Sequence, residues 1–176
     1  MRHVVEDVTK FIENQLNIKV FYNMNDVFFM RVALEEARKA ADIGEVPVGA
    51  VIVKDGEIIA RGHNLREKTQ LSTTHAEMIA IDAACKRLGT WRLEHCTMYV
   101  TIEPCPMCAG ATIQSRIDRL VYGAKEPKNG VHVSKMNMFD VSFSHKVIIS
   151  GGVLAEESEQ LLKSFFMTLR NGKDSV

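Results

Sequence analysis

No stretch of this 176-residue chain approaches the roughly 18–20 consecutive apolar residues that a membrane-spanning helix requires. An excess of either charge is also missing. Its 22 Lys and Arg balance 22 Asp and Glu, which argues against a broadly basic nucleic-acid binder but leaves room for a local patch. Cysteine is scarce: four in a chain this long are too few for a disulfide scaffold and point to a reducing, cytoplasmic compartment. The opening MRHVVEDVTK carries charges where a secretory signal would carry its apolar core, so secretion is not expected. Proline is rare and no repeat or low-complexity tract occurs, which excludes collagenous and disordered chains. What remains is an ordinary globular composition, 46% apolar and 25% charged, sized for one domain with a sizeable core.

Hydrophobic periodicity supplies the outline. Residues 4–17 place Val4, Val8, Phe11, Ile12 and Leu16 at helical spacing, predicting a short helix within an extension, 1–23. A second helix is predicted from an N-cap at Asn25 or Asp26 to a stop at Gly44. Val46–Lys54 reads as a strand buried on both faces, Asp55-Gly56 as a hairpin turn and Glu57–Gly62 as its partner. His75–Leu88 is predicted helical, with Met78, Ile79, Ile81 and Ala84 inward. A strand at Thr97–Ile102, a helix at Cys105–Arg116, strands at Arg119–Gly123 and Lys146–Ile149, and a helix at Leu154–Arg170 follow. Strands alternating with helices, opened by one hairpin, imply an α/β/α sandwich around a mostly parallel sheet. The domain is placed at 24–171 and a tail at 172–176.

Two motifs carry chemistry, His75-Ala76-Glu77 and Pro104-Cys105-Pro106-Met107-Cys108, and each opens a predicted helix. Cysteines three apart share one face of a first helical turn, where unpaired backbone N–H groups favour thiolates. Two thiolates and an imidazole suit zinc, and three protein ligands with an open fourth position describe a catalytic site. His75 and Glu77, two apart, address one site only if His75 stands at the very start of its helix, since they otherwise point about 200° apart. In that geometry the imidazole binds metal and the carboxylate carries protons. Taken singly, His-x-Glu is noise, and Cys-x-x-Cys is equally a half zinc site or a redox pair. Together they match the H-x-E…P-C-x-x-C pattern of zinc nucleobase deaminases. Cys85 and Cys96 form no second pair and read as small buried apolar residues.

On these motifs, with Glu45-Val46-Pro47-Val48-Gly49-Ala50-Val51 and the Phe165-Phe166 helix, the chain resembles the cytidine-deaminase superfamily. Within it, the chain is most similar to the bacterial tRNA adenosine deaminases, the TadA family. The resemblance implies a three-layer α/β/α sandwich with a five-stranded mixed sheet, a homodimer, one zinc ion per subunit, and conversion of the wobble adenosine of a tRNA anticodon loop to inosine. It makes His75, Cys105 and Cys108 the zinc ligands and Glu77 the general acid/base. Asn64, Val48 and Pro47 become substrate contacts, and Glu126 and Lys128 sit in a loop that meets RNA near the target nucleotide. Glu126 stands where the family usually has Asp, Val133-Ser134 where a Gly-Ser pair is usual, and Thr74 where a small apolar residue precedes the zinc histidine. A deaminase of free guanine, cytosine or a nucleoside shares the zinc motif, and a non-catalytic zinc module would need no Glu77.

Overall fold

A computed structural model of the chain describes residues 24–173; the helical pattern at 4–17 lies outside the described residues. Helix α1 occupies 24–42, so Asn25 and Asp26 lie inside it instead of capping it. Asp26 turns towards the sheet, where it accepts from the Tyr99 hydroxyl at 2.9 Å and from both guanidinium ends of Arg119 at 2.7 Å. This fork-to-carboxylate pair fastens α1 to two strands at once.

Strand β1 (Gly49–Lys54) starts three residues later than expected, because Pro47 lacks an N–H for the ladder. The turn Asp55-Gly56 has φ of 51° and 81°, the paired positive values of a primed hairpin turn, and leads into β2 (Glu57–His63). Short helix α2 (Arg66–Thr69) was not evident from periodicity, and α3 (Ala76–Leu88) ends at Gly89 in the left-handed region. Then follow β3 (Cys96–Ile102), α4 (Pro106–Gln114), β4 (Arg119–Ala124), β5 (Ile148–Gly151) and α5 (Ala155–Lys173).

The sheet order is β2-β1-β3-β4-β5. Strand β1 is antiparallel to both neighbours, while β3, β4 and β5 pair in parallel. Four strands therefore share one direction with β1 reversed among them, which makes the sheet mixed. Alternation along the strands divides the core. Ala50, Ile52, Met98, Val100 and Leu120 face α3 and α4, whereas Val51, Val53, Tyr99 and Val121 face α1 and the start of α5.

The helices sit unusually close where glycine and alanine meet. A Cβ on Gly49 would fall 2.1 Å from the Ala33 carbonyl of α1, and one on Gly62 2.4 Å from the Ala76 carbonyl of α3. This approach rolls α3 so that Ala76, Glu77, Ala80, Ile81 and Ala84 are its buried face. Met78 and Ile79, expected inward, are half-buried. Because β2 and β3 run the same way, the segments leaving them arrive at one edge of the sheet, where ligands settle in open α/β folds.

Candidate active site

His75 is the N-cap of α3, with extended backbone (φ −72°, ψ 156°), and Cys105 is the N-cap of α4 (φ −78°, ψ 170°). An extended N-cap turns its side chain away from the helical rotation. His75 and Glu77 can thus share a site despite their spacing. Pro106 occupies the first turn of α4, where its missing N–H costs no helical bond. Cys108, fully buried, lies one turn beyond Cys105.

The His75 Nδ1 atom lies 3.8 Å from Cys105 Sγ and 3.6 Å from Cys108 Sγ, and the three ligand atoms all lie within 4.8 Å of one another. Tetrahedral zinc with ordinary bond lengths needs about 3.6 Å between nitrogen and sulfur and about 3.8 Å between sulfurs. The donor set and its spacing fit such an ion. In the bare protein these groups share protons. Hydrogen bonds from Cys108 and His75 hold the Cys105 thiol down at about 4, despite burial. The bond to Cys105, together with burial, pushes the Cys108 thiol up. A hydrogen bond to Cys105 also raises the imidazole. A cation at this point takes the place of those protons.

Glu77 is 3% exposed, and burial raises its pKa above the ordinary carboxylate value. It lines the same cavity, of about 330 Å³, as His75 and Cys105. Asn64, Val48 and Glu126 line it too, so the structure brings these candidate residues together. Pro47 and Lys128 are not on its wall. In the extended run before β1, Val46 and Val48 face the cavity and Pro47, between them, is buried on the other side. Lys128 points to solvent while its backbone N–H donates to Glu126 Oε1 at 2.8 Å. Thr74 bonds Thr69 and the Leu71 carbonyl within its own loop, and Val133 is exposed without adopting positive φ.

Asn129, in the loop expected to meet RNA, is on the wall, and several wall residues were not among the expected contacts: Val46, Arg66, Glu103, Leu162 and Phe166. The last two come from α5, one turn apart, and bring apolar surface over the cavity mouth. The Phe165-Phe166 pair was the only signal for them, and it reads equally as core. Glu45 and Glu103, each 1% exposed, had a clearer signal, a charge beside a largely apolar strand.

The MafB19-like deaminase family matches residues 24–170. The tRNA-specific adenosine deaminase of Bacillus subtilis (strain 168) is 54% identical over 152 residues, 86% of this chain and 94% of that protein. The structure of a tRNA:A34 deaminase, studied for A-to-I editing at the wobble position of transfer RNA, superposes with a TM-score of 0.74 at 43% identity. It covers 77% of this chain and 99% of that one. The guanine deaminase of Nitrosomonas europaea superposes at 0.70, but at 25% identity, over 78% of this chain and 82% of that one. With 54% identity over 86% of this chain and 94% of the Bacillus protein, against 25% for the guanine enzyme, the chain belongs to the tRNA-specific adenosine deaminase family.

Proposed function

We propose that this protein hydrolyses the wobble adenosine of a tRNA anticodon loop to inosine, with His75, Cys105 and Cys108 holding one zinc ion. The juxtaposition of that donor set with the buried Glu77 carboxylate in one cavity carries the reading. When bound, zinc supplies a Lewis acid that makes water acidic enough to lose a proton near neutrality. Glu77 accepts that proton at a carboxylate oxygen and delivers it to N1 of the purine. The water oxygen bonds to C6, and Glu77 then takes the remaining proton of that oxygen and gives it to N6. The C6–N6 bond breaks as the C6 carbonyl forms, so that adenosine and water become inosine and ammonia. Its burial, which favours the protonated form, suits a group that must hold a proton between these steps.

Asn64 orients the base. One of its amide hydrogens donates to Glu45, and its oxygen makes no bond to another described residue. Leu162 and Phe166 exclude water above the ring. The cavity is too narrow for a duplex, so the nucleotide enters from a single-stranded loop with its base turned out. Lys125 and Arg66 at the rim oppose the phosphates beside it.

The assembly is a homodimer in the cytoplasm, with a catalytic domain at 24–171. The exposed apolar side chains Met136, Val141 and Phe143 support a second subunit, and four free cysteines suit a reducing compartment. No helix among the described residues is long and apolar enough to cross a membrane. The test is inosine formation on an anticodon stem-loop with adenosine at the wobble position, beside Glu77→Ala. No product from zinc-loaded protein, or turnover of free guanine in its place, overturns the reading.

A further inference from the structure

Two buried carboxylates stand at the end of the sheet that carries the site, Glu103 on the cavity wall and Glu45 behind the wall residues Asn64 and Glu67. Glu45 precedes β1 and Glu103 follows β3, and because those strands are antiparallel neighbours both residues reach the same end. Glu45 Oε2 accepts from Asn64 Nδ2 at 3.1 Å and from the Glu67 N–H at 3.2 Å, and its Oε1 from the Lys68 N–H at 2.6 Å. Glu103 Oε1 accepts from the N–H groups of His132 and Val133 at 2.8 Å and of Ser134 at 3.1 Å. Its Oε2 takes the Glu126 N–H at 3.1 Å and the Ser134 hydroxyl. The loop is shaped around this group: a Cβ on Gly130 would lie 2.4 Å from the Glu103 carboxyl carbon.

We propose that Glu45 and Glu103 are positioning residues, the first holding the part of the substrate-cavity wall that carries Asn64 and Glu67, the second the part that carries Glu126 and Asn129. Glu45 fixes the Asn64 amide with its oxygen left for the substrate, and Glu103 pins the segment that carries Glu126 and Asn129. The inference rests on the deaminase reading above. Its chemical basis is that an ionised carboxylate only accepts, on about four lone-pair sites, and both sets of partners consist wholly of donors. Glutamine at either position keeps the shape and turns one acceptor into a donor. In Glu45→Gln the amide oxygen keeps the two donors of the Oε2 position and the new nitrogen meets the Lys68 N–H, the shortest of the three bonds, so the clamp on the Asn64–Lys68 wall loosens. In Glu103→Gln the three donors on Oε1 are retained while the Glu126 N–H loses its acceptor.

The experiment is steady-state kinetics of both variants on the anticodon stem-loop, with zinc content and circular dichroism of each. Each variant is expected to keep one zinc and the parent fold, with KM raised about tenfold and kcat within about threefold. An unchanged KM overturns the proposal, and so does a fall in kcat with zinc loss, the mark of a purely structural role. Should either variant fail to fold, Ser134→Ala and Glu45→Asp replace them. Each weakens one clamp and is expected to raise KM about threefold, and the parent KM in either overturns that half of the proposal. Wild-type turnover tests the deaminase reading separately: if guanine proves the substrate, the same KM ratios are measured on guanine.

Discussion

Replacing Glu77 by glutamine separates its chemistry from its packing, because the amide keeps the volume and hydrogen-bonding reach of a side chain only 3% exposed. A positioned proton carrier accelerates such reactions by roughly 10²–10⁴-fold, so kcat should fall by that factor, about 3–5 kcal/mol in the barrier. Zinc content should not change, since the three ligands are untouched. A second consequence has the opposite sign. Burial raises the Glu77 pKa from 4.5, so the folded chain binds this proton more tightly than the unfolded chain. In metal-free protein the group therefore lowers stability as pH rises above about 4.5, and glutamine removes that slope. The chelated variant should match its parent in acid and exceed it at neutral pH. Single-turnover inosine formation and urea unfolding of chelated protein between pH 4 and 7.5 check both halves. A kcat within tenfold of the parent removes Glu77 from proton transfer; a variant less stable at neutral pH shows that the carboxylate is well satisfied where it lies.

Three further outcomes follow from particular contacts. Gly49→Ala should destabilise by at least about 2 kcal/mol in urea unfolding, because its Cβ would meet the Ala33 carbonyl at 2.1 Å and α1 must retreat from β1. Hydrogen bonds from the 126–134 loop, outweighing burial, hold the Glu103 pKa at about 2 against 4.5 in the unfolded chain. The resulting stabilisation, about 3 kcal/mol, is complete above pH 4.5 and lost as pH falls towards 2. The gap in unfolding free energy between the parent and Glu103→Gln should close over that interval. Chelation should abolish activity and lower Tm, and zinc at a hundredfold excess over its Kd should restore about 2.7 kcal/mol by mass action.

Local signals made most of this fold legible. Valine-rich runs bounded by Asp55-Gly56 and Gly89 gave strand and helix limits within a few residues, since turn chemistry acts on its own neighbours. What periodicity missed was long-range. Asp26 looked like a cap because aspartate commonly is one, yet its partners are 73 and 93 residues away in Tyr99 and Arg119. Met78 and Ile79 looked inward because they are apolar, but the close seating of α3 on Gly62 rolled them aside. The pocket wall was least visible of all. Leu162 and Phe166 lie about a hundred residues from Asn64, and no local pattern distinguishes an apolar residue that covers a cavity from one that fills a core.

The chemical centre was legible for a reason that also constrains it. Regular helical rotation forbids His75 and Glu77 from sharing a site, so their pairing demanded an N-cap histidine. The structure places His75 at that position in extended conformation, one residue before α3 begins. Cys105 stands likewise one residue before α4, so both helices present their unpaired N–H ends to one small volume. The thiolate of Cys105 is favoured there. The same geometry explains the dependence on distant walls: the helix ends fix His75, Glu77, Cys105 and Cys108, whereas Asn64 and Glu126 come from segments with no such support. Those loops depend on buried carboxylates for their shape. A wall residue such as Glu126 can therefore vary without disturbing the cluster of His75, Cys105 and Cys108.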